Sequence, residues 1–264
     1  MTICIGILAN DGIVLAADRE EGDGYLKTDQ GKIAWKFRGI QPIGASGITG
    51  AGVGPYLDEI ANKLNDVFTD DAEGSENVVG PKLCDAHRSY YEQTVLPFPS
   101  SDRPDYELLV ACYGQGIKCI WSTCRMAFTK VHDYEAVGVG AKVAKTWLGR
   151  LYDRIPAFYA AKLAAYVIYQ VNRSVGGCGL GTDILMIRYG IPQYISDGVV
   201  REWENVFRSY AMLERNSFYY CIGLETDEQR LFRTKLGKEP LVKSLDAFRE
   251  ALTKSDLQKS EGQQ

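Results

Sequence analysis

The sequence predicts an α+β fold, a four-layer αββα sandwich of two antiparallel sheets with a C-terminal extension. Three observations carry that expectation. Segments rich in β-formers and amphipathic segments come in blocks, ordered strands, two helices, strands, two helices, strands. Helix pairs separated by runs of strands, rather than strict βαβ alternation, favour antiparallel sheets with the helices packed outside. The chain also opens on two short apolar runs, 3–8 and 12–17, split by Asn10-Asp11-Gly12, a step suited to turns with positive φ and therefore to a hairpin.

The elements follow in order. Segments 25–28 and 32–37 read as a second hairpin, and 42–46 as a further strand. A glycine-rich stretch from Gly47 to Gly54 reads as a turn opening a helix over 55–68, where Leu57, Ile60, Ala61, Leu64, Val67 and Phe68 recur at helical spacing. Pro55 just inside the start suits a helix N-terminus. After an acidic loop at 69–77, a second helix is expected over 81–95. Strands are expected at 106–112, 116–122 and 129–137, rich in β-formers and divided by glycine or polar turns. Helices over 141–152 and 156–172 precede the glycine cluster 176–181, which reads as a flexible turn, with carbonyl binding of a cation as the alternative; the apolar strand 184–189 follows it. The sandwich is assigned to residues 1–190. An extension over 191–258 contains a helix at 197–216, a β-like segment at 218–223 and a last helix at 241–257, packed on the core or on a neighbouring subunit. Residues 259–264 are expected to be a disordered tail.

Composition narrows the class. A net charge of −4 and a pI near 5.4 argue against a nucleic-acid-binding surface. No apolar run approaches the roughly 18–20 residues of a membrane span, and the N-terminus lacks a signal-type core, so a cytoplasmic protein is expected. Cys4, Cys84, Cys112, Cys119, Cys124, Cys178 and Cys221 form no C-x-x-C pair and read as buried thiols of a reducing compartment. The two histidines, His87 and His132, fall on a helix and beside a strand end, and no serine sits in a G-x-S-x-G elbow. Serine–histidine chemistry and a histidine-built metal site are both poorly supported. No cofactor and no metal are expected.

A mechanism without histidine is available at the N-terminus. Methionine ahead of a small residue is the kind that aminopeptidases trim, and its removal leaves Thr2 with a hydroxyl and a free α-amine. Such an amine titrates near about 7.7–8.0, so much of it is free base at neutral pH. A threonine hydroxyl beside an N-terminal amine is a recognised nucleophile–base pair.

From Thr2 onward the chain resembles a proteasome β-subunit of the N-terminal-nucleophile hydrolases. Thr2-Ile3-Cys4-Ile5-Gly6 is similar to that family's Thr-Thr-Ile-x-Gly opening, and Gly12-Ile13-Val14-Leu15-Ala16-Ala17-Asp18 to its Gly-Val-Val-Leu-Ala-Ala-Asp. Gly31-Lys32-Ile33 resembles the segment carrying its active-site lysine, Thr49-Gly50-Ala51 the turn that supplies an oxyanion donor, and 136–140 its Ile-Gly-Ser-Gly turn. The resemblance implies a threonine-type endopeptidase with Thr2 as nucleophile, Asp18 and Lys32 as supporting pair, and the N–H of Gly50, at a helix N-terminus, as oxyanion donor; Gly47 is nearly as good a candidate. It further implies a peptide or protein substrate, a homo-oligomeric ring or related assembly, and an ATP-dependent unfoldase partner. Departures occur at Val139, where the family has serine, and at Asn172 and Val175, where it has aspartate and serine; a one-residue slip would make Ser174 the hydroxyl. These keep two alternatives open, a catalytically silent structural subunit and a small-molecule amidase or acylase.

Overall fold

The structure, a computed structural model, describes residues 2–22, 27–29, 32–37, 43–68, 75–114 and 116–221. Strands β1 (Ile3–Ala9) and β2 (Gly12–Asp18) form the expected hairpin, with Ile7 opposite Val14 and Ala9 opposite Gly12. The next pairing differs from the expectation. Strand β3 (Glu20–Gly22) pairs with β4 (Lys27–Asp29), while β5 (Ile33–Phe37) pairs with β6 (Ile43–Gly52), so Lys27 and Thr28, the described part of the segment 25–28, do not pair with 32–37.

The glycine-rich stretch is mostly strand. A Cβ on Gly47 would stand 2.8 Å from Leu185 Cδ2 and 3.0 Å from Leu15 Cδ1, and one on Gly50 2.6 Å from the Glu107 carbonyl oxygen. Glycine is required there by close approach of neighbouring elements, not by a turn. Only Gly52, at the end of β6 with φ 138°, needs a glycine-type backbone.

Helix α1 (Gly54–Val67) follows with Pro55 in its first turn. Helix α2 (Glu76–Tyr90) starts ahead of the predicted position, with Pro81 tolerated inside it, and continues as a π-helical turn over Tyr91–Val95. Strands β7 (Tyr106–Gly114) and β8 (Ile117–Cys124) are as expected. The predicted strand 129–137 is two strands, β9 (Ala127–Val131) and β10 (Tyr134–Gly138), in different sheets. His132 and Asp133 turn the chain from one layer to the other, a corner too short to interrupt the apolar pattern. Helices α3 (Ala141–Leu151) and α4 (Ala157–Ser174) lead to β11 (Thr182–Arg188), β12 (Ile191–Tyr194) and α5 (Asp197–Cys221).

The sheets run β10-β1-β2-β11-β12 and β5-β6-β7-β8-β9, all pairs antiparallel, with β3-β4 a separate ribbon. Cys4, Ile13, Leu15, Leu185 and Ile187 of the first sheet meet Ala45, Leu109, Ala111 and Ile120 of the second. On the outer face of the second sheet, Ile60, Leu64, Leu83 and Tyr90 of α1 and α2 cover Ile48, Leu108, Val110 and Trp121. Helices α3 and α4 lie on the outer face of the first sheet, α4 presenting the small buried residues Ala157, Ala160, Ala161, Ala164 and Ala165. These four layers are the αββα sandwich.

The chain divides after Asp197 into two units. In the second unit, α5 buries Val200, Trp203 and Phe207 at helical spacing. Residues 218–221, expected to be β-like, are its last turn. Positions 222–223, the helix expected at 241–257 and the tail at 259–264 lie outside the described residues. Six cysteines are free thiols: Cys4, Cys112, Cys119 and Cys178 are buried as expected, Cys84 is half-buried and Cys124 exposed. Among the described residues no helix is long and apolar enough to cross a membrane.

Candidate functional site

Thr2 immediately precedes β1 and is buried. Asp18 ends the neighbouring strand β2, so the hairpin register returns its carboxylate to the start of β1, where Oδ1 accepts the Ile3 N–H at 3.0 Å. Lys32 arrives from the other sheet, at the residue before β5. Its ammonium donates to Thr2 Oγ1 at 2.8 Å, to Asp18 Oδ1 at 3.1 Å and to the Glu20 carbonyl. An ammonium has three protons, and all three are engaged. The fold therefore brings Thr2, Asp18 and Lys32 together at one point.

The electrostatics are those of a buried pair. Asp18 is fully buried and its second oxygen accepts the Gly179 N–H at 3.0 Å. Burial pushes its carboxyl above the ordinary aspartate range, against the opposing pull of Lys32 and the two backbone donors. The nearby Cys4 thiol is pushed up to about 12, chiefly by burial. It donates to the Gly50 carbonyl at 3.2 Å and stays a thiol at neutral pH, so it offers no thiolate to compete with a threonine nucleophile. Thr49 secures the base of the lysine by donating to the Lys32 carbonyl at 2.9 Å.

Other expectations fare differently. Gly50 and Gly47 do not stand at a helix N-terminus: both lie inside β6, opposite Leu108 and Ala111, and α1 begins only at Gly54 after Val53. Their glycine content reads equally as turn or as close strand packing, and the neighbouring layers decide between the two. Val139 is 55% exposed and brings only hydrocarbon to the corner after β10. Asn172 has its Oδ1 buried without a hydrogen-bond partner among the described residues. The Ser174 hydroxyl donates to the Gln170 carbonyl of its own helix. Among the described residues no cluster of His, Cys, Asp and Glu is arranged to hold a metal ion.

The groups that sequence reasoning missed are mostly main chain: the Glu20 carbonyl, the Gly179 N–H inside a loop read as a flexible turn, and the Gly138 corner. Gly138 has φ 94°, donates its N–H to Glu107 Oε2 at 2.8 Å, and would place a Cβ 2.3 Å from the Thr2 carbonyl oxygen. Gly138→Ala is therefore expected to lower stability by roughly 1–3 kcal/mol through backbone strain, and to displace Thr2 from Lys32. Urea unfolding and a crystal structure of the variant check this; wild-type stability with Thr2 unmoved would refute it.

No protein-family model matches this sequence, and no curated protein matches it. Solved structures do. An Anbu mutant from Hyphomicrobium sp. strain MC1 aligns with a TM-score of 0.66 at 15% identity, over 83% of this chain and 97% of that one. Anbu from Yersinia bercovieri, described as an ancestral β-subunit, gives 0.64 at 14% identity, over 80% and 95%. A helical assembly of the Anbu complex from Pseudomonas aeruginosa gives 0.59 at 17% identity, over 81% and 96%. The resemblance to a proteasome β-subunit is corrected accordingly: neither a family model nor a curated sequence supports it, and identity this low establishes a shared fold alone. The chain has the fold of the Anbu proteins.

Proposed function

We propose that the chain is a threonine-type amide hydrolase in which Thr2, uncovered by removal of Met1, is the nucleophile. The observation that carries this reading is the 2.8 Å contact from the Lys32 ammonium to Thr2 Oγ1, with the same ammonium held by buried Asp18. A cation at that distance favours the alkoxide over the hydroxyl. The freed α-amine, directly or through water, takes the proton as Oγ1 attacks an amide carbonyl. The ester so formed on Thr2 is hydrolysed by water with the amine again as base, and the amine-bearing half of the substrate leaves first. Main-chain N–H groups between Gly50 and Gly54 are assigned to the developing oxyanion; one such donor is typically worth about 2.7–4 kcal/mol.

Peptides are the substrate class assigned to the site, and self-association the state in which it works. A similar structure is described as a helical assembly of the Anbu complex, which supports self-association. A second reading, a catalytically silent protein of the same fold, is favoured by Val139, which supplies no hydroxyl.

Intact mass and covalent labelling test the proposal. The purified protein is expected to lack Met1 and to gain one adduct from a threonine-directed β-lactone, with no adduct on Thr2→Ala. Retained methionine with no adduct would replace this reading by the silent one. Size-exclusion chromatography with light scattering is expected to show a species larger than the protomer.

A further inference from the structure

We propose that Asp183 is a positioning residue that fixes Lys32 against Thr2; this rests on the reaction assigned above. Asp183 lies on β11 opposite Ala17, next to the Thr182–Asp18 pair, and is 1% exposed. Strand alternation puts its side chain on the face shared with Leu185 and Ile187, which meets the second sheet. There its Oδ2 accepts the backbone N–H of Lys32 at 3.1 Å.

The carboxylate has a cation beside it. Arg19 Nε lies 3.6 Å from Asp183 Oδ1, while the same guanidinium reaches Asp197 Oδ2 at 2.6 Å through Nη1. Asp183 Oδ1 has no hydrogen-bond partner among the described residues, so Oδ2 and its bond to the Lys32 N–H carry the contact that matters here. Buried carboxylates are expensive unless paired and hydrogen-bonded, and here the pairing serves one backbone amide of the candidate site.

The need for it follows from the lysine. A lysine ammonium rides on a flexible four-carbon stem, so its position depends on where the backbone begins as well as on what the ammonium touches. Asp18, the Glu20 carbonyl and Thr2 hold the ammonium, while Asp183 holds the opposite end. Lys32 is clamped at both ends by neighbouring strands of the first sheet, although it belongs to the second. Alternate residues 18 and 20 reach its ammonium, and Arg19 between them reaches the carboxylate that holds its amide.

The test compares wild type with Asp183→Ala, Asp183→Asn and Asp183→Glu, reading the β-lactone acylation rate of Thr2, the reagent concentration for half-maximal rate, and hydrogen exchange at the Lys32 amide. Asp183→Ala is expected to lose protection at that amide and to slow saturated acylation about 100-fold, the scale of an ångström-sized misplacement, with half-saturation nearly unchanged. Asp183→Asn retains an oxygen acceptor and is expected to stay near wild type in both. Asp183→Glu keeps the charge but shifts the acceptor by a methylene, and is expected to slow acylation about 10-fold. Acylation at the wild-type rate in Asp183→Glu overturns the proposal even if Asp183→Ala does not fold, as does a protected Lys32 amide in a folded Asp183→Ala. Wild type that is never acylated overturns the reaction itself, and with it this role; wild type acylated with all three variants unaltered overturns only the role of Asp183.

Discussion

Lys32→Met is expected to abolish acylation of Thr2 and to cost the fold about 3–5 kcal/mol at pH 7, the scale of breaking a buried ion pair from one side. The two effects have one origin. Asp18 bears the loss in full, because its carboxylate is buried and Lys32 is its only side-chain hydrogen-bond partner among the described residues; two backbone N–H groups remain. Methionine fills much of the same volume without charge, so the deficit comes from an unpaired anion rather than a hole. Thr2 Oγ1 simultaneously loses the cation beside it, and acylation is expected to fall roughly a thousandfold or more, as when one member of a nucleophile–base unit is removed.

The pH dependence gives the test its sign. Burial already raises the Asp18 carboxyl, with Lys32 the largest opposing influence. Without Lys32 the folded-state pKa rises further above that of the unfolded chain. The folded variant then holds a proton that the unfolded chain releases, so its stability improves as pH falls through that folded pKa and declines as pH rises. Urea unfolding at pH 7 and pH 5 should show the gap from wild type shrinking at the lower pH. A gap of constant size would mean that the unpaired carboxylate is not the cause.

Acidification is expected to remove about 3 kcal/mol through His87 alone, since each tenfold weakening of proton binding on folding is worth about 1.4 kcal/mol. Its ring is fully buried on α2, with the rings of Tyr106 and Phe128 each centred 5.9 Å away. Nε2 lies 3.4 Å from the Tyr106 hydroxyl, and Nδ1 has no hydrogen-bond partner among the described residues. Burial lowers its pKa from 6.5 to about 4. Between those values the unfolded chain binds a proton that the folded one refuses, so the stability from this group is complete above the unfolded pKa and falls as pH drops towards the folded one. His87→Phe should unfold with a shallower acid dependence, measured as the change in unfolding free energy from pH 7 to pH 4. Carboxylates common to both proteins cancel in that difference, and parallel curves would reject the assignment.

The hairpin, α1, α3, α4 and β11 were legible in the sequence because period and punctuation agree there: Asn10-Asp11-Gly12 between apolar runs, and Pro55 ahead of a helical stripe. The failures have a common physical form. Gly47 and Gly50 satisfy a turn and a tightly packed strand equally well, and the side chains that choose between them, Leu15, Leu185 and Leu57, are remote in sequence or on another element. The crossing at His132–Asp133 leaves the apolar pattern of 129–137 intact, so composition does not mark it. Within the site, Thr2, Asp18 and Lys32 were legible because their chemistry resides in side chains. The Glu20 carbonyl and the Gly179 N–H were not, since every residue but proline carries both groups. Asp183 is a third case, an ordinary strand-start aspartate until β11 is aligned beside β2.

Thr2 and Asp18 belong to one sheet and Lys32 to the other, so no single layer of the sandwich contains a competent nucleophile. An isolated first sheet would carry a threonine with no cation near it, and an isolated second sheet a lysine with nothing to activate. The proposed hydrolytic power therefore requires the two sheets to be docked, and is expected to disappear if β5 peels away.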